Sequence, residues 1–298
     1  MRLVTFSTGT SGGARLGALK GDTVVDLAHA SHGELPSSML ELVQAGPSAL
    51  EKARAVVASA TDTMPLSQVK LMAPIPRPTK NVFCLGLNYA DHVAEGGRAL
   101  GENRTLPEFP VFFTKPPTSV IGPDDEFIFD PKISDKVDWE VELTLIIGRT
   151  GKNISQADAL DHVFGYTVGN DISIRDLQRR HGGQWFKGKG FDRAAPMGPV
   201  VVTSDEIPDP QNLHITLRVN GVTKQDSNTK NMIFNVRTCI ESLSEGMTLE
   251  AGDVIMTGTP DGVGFARTPP EYVKQGDVME AEIESIGILR TPVVEQAG

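Results

Sequence analysis

Two glutamates spaced two residues apart, Glu140 and Glu142, lie in a stretch where apolar and polar residues alternate. The stretch DWEVELTLIIG runs from Asp138 to Gly148, and every odd position in it is apolar. This alternation predicts a β-strand with one face in a core. Side chains at i and i+2 point the same way, about 7 Å apart at the backbone. The two carboxylates therefore either face water, which the pattern alone favours, or hold one cation between them.

A histidine and a glutamate three residues apart follow the predicted strand NVFCLG. If YADHVAE is helical, His92 and Glu95 are close enough to form a hydrogen bond. A carboxylate bound to one imidazole nitrogen fixes the tautomer and makes the other nitrogen a better base. The alternative is a solvated histidine on an exposed helical turn, which is the commoner arrangement for a lone pair.

A third group of polar residues follows the predicted strand FGYTVGND. Asp171 ends the strand, and Arg175 and Gln178 come next at helical spacing on one face. A carboxylate, a guanidinium and an amide in this order could hold a metal together with an anionic substrate. The alternative is a helix N-cap aspartate followed by surface residues.

Two glycine-rich stretches add candidates of a weaker kind. WFKGKGFD contains Lys187 and Lys189, and VIMTGTPDGVG contains Thr259. Lysine ammonium groups, hydroxyls and the backbone N–H groups of such turns can bind an anion. Glycine-rich turns are common without any function, so these stretches gain weight only beside the other groups.

The elements that position these residues are mostly short strands. Residues 1–72 are predicted to form a small N-terminal domain, the proline-rich stretch 73–80 a linker, and 81–298 a β-rich domain. In the first domain, SMLELVQ and SALEKARAVVASA predict helices, the second with Ser48 as N-cap. In the second domain, YADHVAE, SQADALDHV and NVRTCIESLSEG predict helices, and Asn220-Gly221 predicts a hairpin. The predicted class is α+β and β-rich, a roll or sandwich with a few covering helices.

Composition excludes several classes of partner. The formal net charge of −10 argues against nucleic acid and anionic membrane surfaces. Cys84 and Cys239 lie far apart in apolar contexts, which predicts free thiols and a reducing, cytoplasmic location. The amino-terminal stretch lacks a signal-peptide pattern, and no apolar run is long enough to span a bilayer.

Taken in order, five of these motifs resemble the fumarylacetoacetate hydrolase family. They are GLNYADHVAE, VDWEVELTLIIG, GYTVGNDISIRDLQ, KGKGFD and TGTPDGVG, and the resemblance extends from Asn81 to Val294. It implies a mixed β-sandwich roll of that family's type, preceded by a small N-terminal α/β domain. It also implies a homo-oligomer, most simply a homodimer.

The resemblance implies a role for each candidate residue. Metal ligands correspond to Glu140, Glu142 and Asp171, and a water-activating dyad to His92 and Glu95. Substrate-pocket residues correspond to Arg175, Gln178, Lys189 and Thr259, with Lys189 also catalytic. Lys187 is a poorer match to the family's pocket lysine, because only Lys189 directly precedes Gly-Phe-Asp in the KGKGFD motif. The founding branch has a fourth carboxylate ligand where this chain has Leu85, so the chain is similar to the three-carboxylate acylpyruvases and oxaloacetate decarboxylases.

Oxygen-only ligation predicts a divalent cation, Mg²⁺ or Mn²⁺ with Ca²⁺ as an alternative, because zinc and iron recruit histidine or cysteine. The implied main activity is hydrolysis of a carbon–carbon bond in a 2,4-dioxo acid through an enolate held by that metal. Alternatives are oxaloacetate decarboxylation, tautomerisation of a 2-oxo acid, isomerisation of a 2-hydroxyhepta-2,4-diene-1,7-dioate type of acid, and a non-catalytic binding role.

The segment from Asp91 to Pro107 contains three glycines, few apolar residues and mixed charge. This composition predicts a mobile segment. We expect it either to close over bound substrate and bring His92 and Glu95 to the metal, or to be an ordinary exposed loop.

Overall fold

Strands of the computed structural model, which describes residues 1–9 and 13–296, greatly outnumber its helices. The strands are β1 Arg2–Ser7, β2 Arg15–Lys20, β3 Thr23–Asp26, β4 Met64–Pro65, β5 Lys70–Met72, β6 Val82–Gly86, β7 Val111–Lys115, β8 Val120–Ile121, β9 Phe127–Phe129, β10 Val137–Asp138, β11 Val141–Ile147, β12 Gly151–Lys152, β13 Val163–Asn170, β14 Ser173–Ile174, β15 Ala195–Thr203, β16 His214–Val219, β17 Val222–Asn228, β18 Thr248–Leu249, β19 Val254–Met256, β20 Val278–Ile283 and β21 Gly287–Glu295. The α-helices are α1 Leu27–Ala30, α2 Met39–Ala45, α3 Pro47–Ser59, α4 Ala90–Leu100, α5 Arg175–Arg180, α6 Phe186–Lys189 and α7 Val236–Ser244. The predicted β-rich α+β class is confirmed.

A twelve-stranded sheet forms the centre of the protein, in the order β4-β3-β2-β1-β15-β13-β11-β19-β6-β7, with β5 and β8 on side branches. A second, five-stranded sheet has the order β17-β16-β20-β21-β9. Strand β11 lies inside the large sheet, antiparallel to both β13 and β19. Its odd-numbered side chains join one hydrophobic cluster with residues of the second sheet, whereas Ile146 joins another cluster with α2 and β6.

Strand β11 is therefore buried on both faces, and all seven of its residues are inaccessible to water. The interpretation of its alternation as one wet face is wrong, because the sheet is covered on both sides. Glu142 is 0% exposed, and Glu140, which immediately precedes the strand, is 4% exposed. The two carboxylates thus lie in the interior, where charge must be offset.

The amino-terminal strands continue the large sheet, because β1 pairs with β15 as well as with β2 and β5. In the proline-rich stretch, Ala73 and Ile75 are buried. The Thr5 hydroxyl donates to the Pro74 carbonyl at 2.6 Å, which fastens the stretch to β1. The division into domains at residues 72 and 80 stays a prediction, since hydrogen bonds of one sheet cross it.

The predicted helices differ from the observed ones at three places. Helix α3 has Gly46 as its N-cap and Pro47 at its first position, instead of Ser48 as N-cap. Proline fits there because its missing N–H would have no helical partner. SQADALDHV contains only a 3₁₀ turn, Ala159–His162. Helix α4 is longer than predicted and ends at Gly101, which has a φ of 65°.

The hairpin at Asn220-Gly221 is confirmed. Both residues have positive φ, 51° and 76°, as the two central positions of a type I′ turn require. No helix among the described residues is long and apolar enough to cross a membrane.

Because Leu145 lies in the centre of β11 and is 0% exposed, Leu145→Ala should lower the free energy of unfolding by about 2–5 kcal/mol. Ile288→Ala on β21 is the matched control, since Ile288 is 44% exposed, and it should change stability by less than about 0.5 kcal/mol. Urea unfolding curves of both variants make the comparison. Equal losses would contradict the burial assigned to β11.

Candidate active site

Three buried carboxylates converge where β11 and β13 pair. Glu140, Glu142 and Asp171 each have an oxygen within 4.8 Å of an oxygen of the other two. Pairing in the sheet positions them, since the Asp171 N–H donates to the Glu140 carbonyl at 2.8 Å. The structure therefore brings the residues on both sides of the β11–β13 ladder into one cluster, as predicted for the metal ligands.

One oxygen of this cluster fits a cation. Glu142 Oε2 accepts from the Gly258 N–H at 2.7 Å. Among the described residues, no hydrogen-bond donor meets the buried Glu142 Oε1, whereas Asp171 Oδ1 has the Lys115 ammonium 2.8 Å away. A buried oxygen without a donor is unfavourable unless a cation binds it. A three-carboxylate, oxygen-only set suits Mg²⁺ or Mn²⁺.

Ionisation in the cluster is uneven. Burial raises the pKa of Glu142 well above its usual range, and the carboxylates of Asp171 and Glu140 raise it further. Burial acts in the same direction on Glu140, but the charges of Lys189 and Arg175 outweigh it and lower the pKa of Glu140. The charges that act most strongly on Glu142 are therefore negative, and a divalent cation would offset them.

Lys189 and Arg175 approach the cluster from helices α6 and α5. Lys189 Nζ lies 2.7 Å from Glu140 Oε2 and 2.6 Å from Asp171 Oδ2. Arg175 Nη2 lies 2.7 Å from Glu140 Oε1. Burial disfavours the charged form of Lys189, yet Asp171 and Glu140 more than compensate and raise its pKa. Both side chains are therefore charged partners of the predicted ligands.

Lys115, at the end of β7, is a fully buried cation that the sequence did not indicate. Its Nζ donates to the carbonyls of Ile172, Lys189 and Ala194 at 3.0, 2.5 and 2.8 Å. The same nitrogen lies 2.8 Å from Asp171 Oδ1. Lys115 therefore fixes the backbone around Asp171 and Lys189 while its charge faces the Asp171 carboxylate.

The predicted dyad forms on α4. His92 Nδ1 lies 2.9 Å from Glu95 Oε1, and both side chains are only 11% exposed. Glu95 Oε2 accepts from the Gly262 N–H at 2.9 Å. The solvated-histidine alternative is wrong for this chain, because the carboxylate is anchored to the late glycine-rich loop.

Asp138 connects that loop to Arg175, a role that no sequence pattern predicted. Its Oδ2 accepts from Arg175 Nε at 2.7 Å, and its Oδ1 accepts from the Gly264 N–H at 2.7 Å. The Phe265 N–H also donates to Oδ2, at 3.0 Å. A side chain on Gly264 would clash with this carboxylate, since its Cβ would lie 2.7 Å from Asp138 Oδ1.

A cavity of about 320 Å³ lies beside these groups. The predicted residues that line it are His92, Glu140, Arg175, Gln178, Lys189 and Thr259. The remaining lining residues are Leu85, Gly86, Leu87, Leu100, Glu102, Arg104, Phe113, Arg179, Gly183, Trp185 and Phe265. This volume is at the small end for ligand pockets and suits a compact acid.

The structure adds detail to the sequence predictions at three positions of the cavity. Lys187 is exposed and lies outside the cavity lining, so Lys189 is the lysine of the KGKG motif that faces the site. The Thr259 hydroxyl donates to the Val141 carbonyl and accepts from Gln225 Nε2. Leu85 lines the cavity as an apolar residue and is 1% exposed.

Gly86 lines the cavity, and the need for glycine at this position is visible only in the folded structure. A Cβ there would lie 2.0 Å from Trp185 Cζ3. Trp185 packs edge-on against Phe113, with ring centroids 5.5 Å apart. Glycine at the end of β6 therefore lets the indole form one wall of the cavity.

Replacement of Glu142 by Gln keeps the shape of a ligand but removes its charge. We expect Glu142→Gln to weaken Mn²⁺ binding by at least about 100-fold, measured by isothermal titration calorimetry. Glu280→Gln, a half-buried glutamate on β20, is the control and should bind Mn²⁺ like the unaltered protein. Unchanged affinity in Glu142→Gln would contradict a metal site in the triad.

Asp138→Asn would remove one of the two carboxylates that pair with the buried Arg175 guanidinium, the other being Glu140. The expected loss of unfolding free energy is about 1.5–3 kcal/mol, because a buried charge-assisted hydrogen bond is lost. Asp226→Asn is the control, since Asp226 pairs with His214 at 64% exposure and such pairs contribute little. Similar urea midpoints for the two variants would show that Asp138 does not anchor Arg175.

Known proteins resemble this chain over most of its length. Residues 81–294 match the family model described as fumarylacetoacetate (FAA) hydrolase C-terminal. The chain is 44% identical over 297 residues to "oxaloacetate tautomerase fahd2, mitochondrial" of Xenopus laevis, covering 99% of this chain and 90% of that protein. It is 43% identical over 267 residues to oxaloacetate tautomerase YisK of Bacillus subtilis (strain 168), covering 87% of each.

Two solved structures share the fold over nearly the whole chain. The fumarylacetoacetate hydrolase from psychrophilic Exiguobacterium antarcticum superposes with a TM-score of 0.81 at 38% identity, covering 99% of this chain and 100% of that one. The maleylpyruvate hydrolase from Sphingobium sp. SYK-6, in complex with manganese(II) and pyruvate, has a TM-score of 0.79 at 30% identity, with 100% of both chains covered. The chain belongs to the fumarylacetoacetate hydrolase family, as its five ordered motifs predicted.

Proposed function

We propose that this family member is a divalent-metal-dependent tautomerase that interconverts the enol and keto forms of oxaloacetate. One observation carries the proposal: His92 of the dyad and Glu140 of the buried carboxylate triad line the same small cavity, together with Arg175 and Lys189. The relatives named oxaloacetate tautomerase, at 43–44% identity, support it. The main prediction from the sequence was hydrolysis of a carbon–carbon bond, with tautomerisation as an alternative. These relatives support the tautomerisation better than the hydrolysis.

Glu140, Glu142 and Asp171 would hold the cation, which we propose to be Mg²⁺ or Mn²⁺, with Ca²⁺ as an alternative. When bound, a divalent cation supplies Lewis-acid stabilisation of the negative charge that enolisation places on the 2-oxo oxygen. The manganese in the maleylpyruvate hydrolase structure supports a metal of this type in the fold.

His92 would move the proton at C3. Tautomerisation takes one proton from C3 and places one on the 2-oxo oxygen, or the reverse, so no water is consumed. With Nδ1 of His92 donating to Glu95, Nε2 carries the lone pair that accepts the C3 proton. Glu95 would maintain this tautomer, because the Gly262 N–H donates to its other carboxylate oxygen and holds the carboxylate in place.

Arg175 and Gln178 would orient the carboxylate next to the 2-oxo group. Arg175 Nη1 donates to Gln178 Oε1 at 3.2 Å, so the two side chains share one wall of the cavity. Lys189 adds positive charge at the buried end, between Glu140 and Asp171. Thr259 also lines the cavity.

Hydrolysis of an acylpyruvate is the second candidate, and the maleylpyruvate hydrolase neighbour favours it. In that reaction His92 would deprotonate a water that attacks the carbonyl remote from the carboxylate, with Lys189 and Gln178 stabilising the oxyanion. Release of pyruvate from acetylpyruvate would identify hydrolysis, and release of CO₂ from oxaloacetate would identify decarboxylation. Neither product forms in tautomerisation.

His92→Ala should lower enol-oxaloacetate turnover with Mg²⁺ by about 10²–10⁴-fold, because the group that delivers the C3 proton in this direction is lost. Stopped-flow absorbance of the enol measures the rate. His214→Ala is the control, since His214 is 57% exposed on β16 and pairs with Asp226; it should turn over like the unaltered enzyme. A His92→Ala rate within about threefold of the unaltered rate would rule out His92 as the proton carrier.

A homodimeric state and a cytoplasmic location stay predictions for this chain. The expected absence of a nucleic-acid or membrane partner also rests on charge and sequence alone.

A further inference from the structure

Helix α5 presents three polar residues to the cavity at successive depths. Arg175 is buried, Gln178 is half-buried and Arg179 is exposed, and all three line the cavity. Their spacing of three and four residues places them on one helix face, and four residues of helix advance about 6 Å. Arg179 therefore lies at the mouth, while Arg175 lies beside Glu140 at the buried end.

Arg179 lacks a counter-ion in the part of the chain that the structure describes, since no carboxylate there forms an ion pair with it. Its guanidinium carbon lies 5.0 Å from the centre of the Phe265 ring, and that of Arg175 lies 4.5 Å from the same centre. Burial lowers the pKa of Arg179, and the charges of Arg175 and Arg104 lower it further. Three guanidinium groups are thus crowded around one opening.

Arg104 reaches this opening from the segment that follows α4. Two glycines of α4 make room for it: a Cβ on Gly97 would lie 2.9 Å from the Glu102 carbonyl, and one on Gly96 would lie 3.4 Å from Arg104 Nη1. Arg104 Nε donates to Glu102 Oε2 at 2.9 Å, which leaves its terminal nitrogens for another acceptor. The helix that carries His92 therefore also positions a cation at the mouth.

We propose that Arg179 and Arg104 bind the second carboxylate of the substrate, so that the cavity selects dicarboxylic 2-oxo acids over monocarboxylic ones. This inference rests on the proposed function and names the substrate class of the same site. A four-carbon dicarboxylate has a length comparable to the rise between Arg175 and Arg179, so its two ends meet the buried and the exposed cations.

The positive charge at the mouth of the cavity is the reason to expect selectivity for a second carboxylate. Arginine binds carboxylates through paired hydrogen bonds, which are among the stronger polar contacts in proteins. A substrate with a neutral far end would leave Arg179 near Arg175 and Arg104, with Glu102 as a nearby carboxylate that is already bound to Arg104. A second carboxylate relieves the repulsion between these guanidinium groups and gains the contacts.

The test compares oxaloacetate with its 4-methyl ester, which keeps the 2-oxo acid but is neutral at the far end. Arg179→Gln and Arg104→Gln should each lower kcat/KM for enol-oxaloacetate by about 10- to 100-fold, mainly through KM. Turnover of the ester should change far less, by under about threefold. Arg180→Gln is the matched control on the same helix, because Arg180 is 59% exposed, pairs with Asp176 and lies outside the cavity lining.

Equal losses for oxaloacetate and the ester would overturn the inference, because they would indicate a general effect on the fold or on chemistry. Unchanged kinetics with both substrates would overturn it too.

A binding measurement separates this inference from the proposed function. Calorimetry with Mg²⁺ should show that Arg179→Gln weakens binding of malate, a four-carbon dicarboxylate, but not of oxalate, which spans only the buried end. If the unaltered enzyme does not turn over oxaloacetate, the tautomerase proposal fails, and the malate-to-oxalate comparison still decides the second-carboxylate site. Equal weakening of both ligands would count against that site.

Discussion

Seven buried charged side chains meet at the centre of this fold. Asp138, Glu140, Glu142 and Asp171 are all at most 4% exposed, and the cations Lys115, Arg175 and Lys189 at most 5%. Each cation lies within 2.8 Å of at least one of the carboxylates. These are four carboxylates and three cations, and among the described residues none of the three cations forms an ion pair with Glu142. Burial and its acidic neighbours raise the pKa of Glu142. A protein interior holds such a cluster only when its charges are offset, and a divalent cation would offset it.

The fold supplies the cluster from distant parts of the chain. Strand β11 and the residue before it bring two glutamates, the residue after β13 is Asp171, β7 brings Lys115, and short helices bring the other two cations. The glycine-rich loop after β19 then connects the cluster to the dyad, because Glu95 and Asp138 accept hydrogen bonds from neighbouring N–H groups of that loop. The position of His92 is thereby tied to the position of the carboxylate triad.

Local patterns predicted the parts of the site that are close in sequence. Alternation located the strand with Glu140 and Glu142, and helical spacing located His92 with Glu95 and Arg175 with Gln178. The same alternation could not show that β11 is covered on both faces, since polar residues within a buried strand resemble a wet face. Asp138 stands beside these glutamates, but one of its partners is Gly264, 126 residues away. Lys115, Arg104 and Arg179 were missed for the same reason: their roles arise only from long-range packing around the cavity.

In the proposed mechanism, the triad and His92 act together to enolise a 2-oxo acid without breaking a carbon–carbon bond. Proton NMR of oxaloacetate in D₂O with enzyme and Mg²⁺ is the test, because C3 protons exchange whenever the enol forms. We expect the enzyme to accelerate loss of the C3 signal, EDTA to abolish the acceleration, and pyruvate to appear no faster than without enzyme. Exchange at the uncatalysed rate, or pyruvate formed as fast as deuterium enters, would contradict this mechanism.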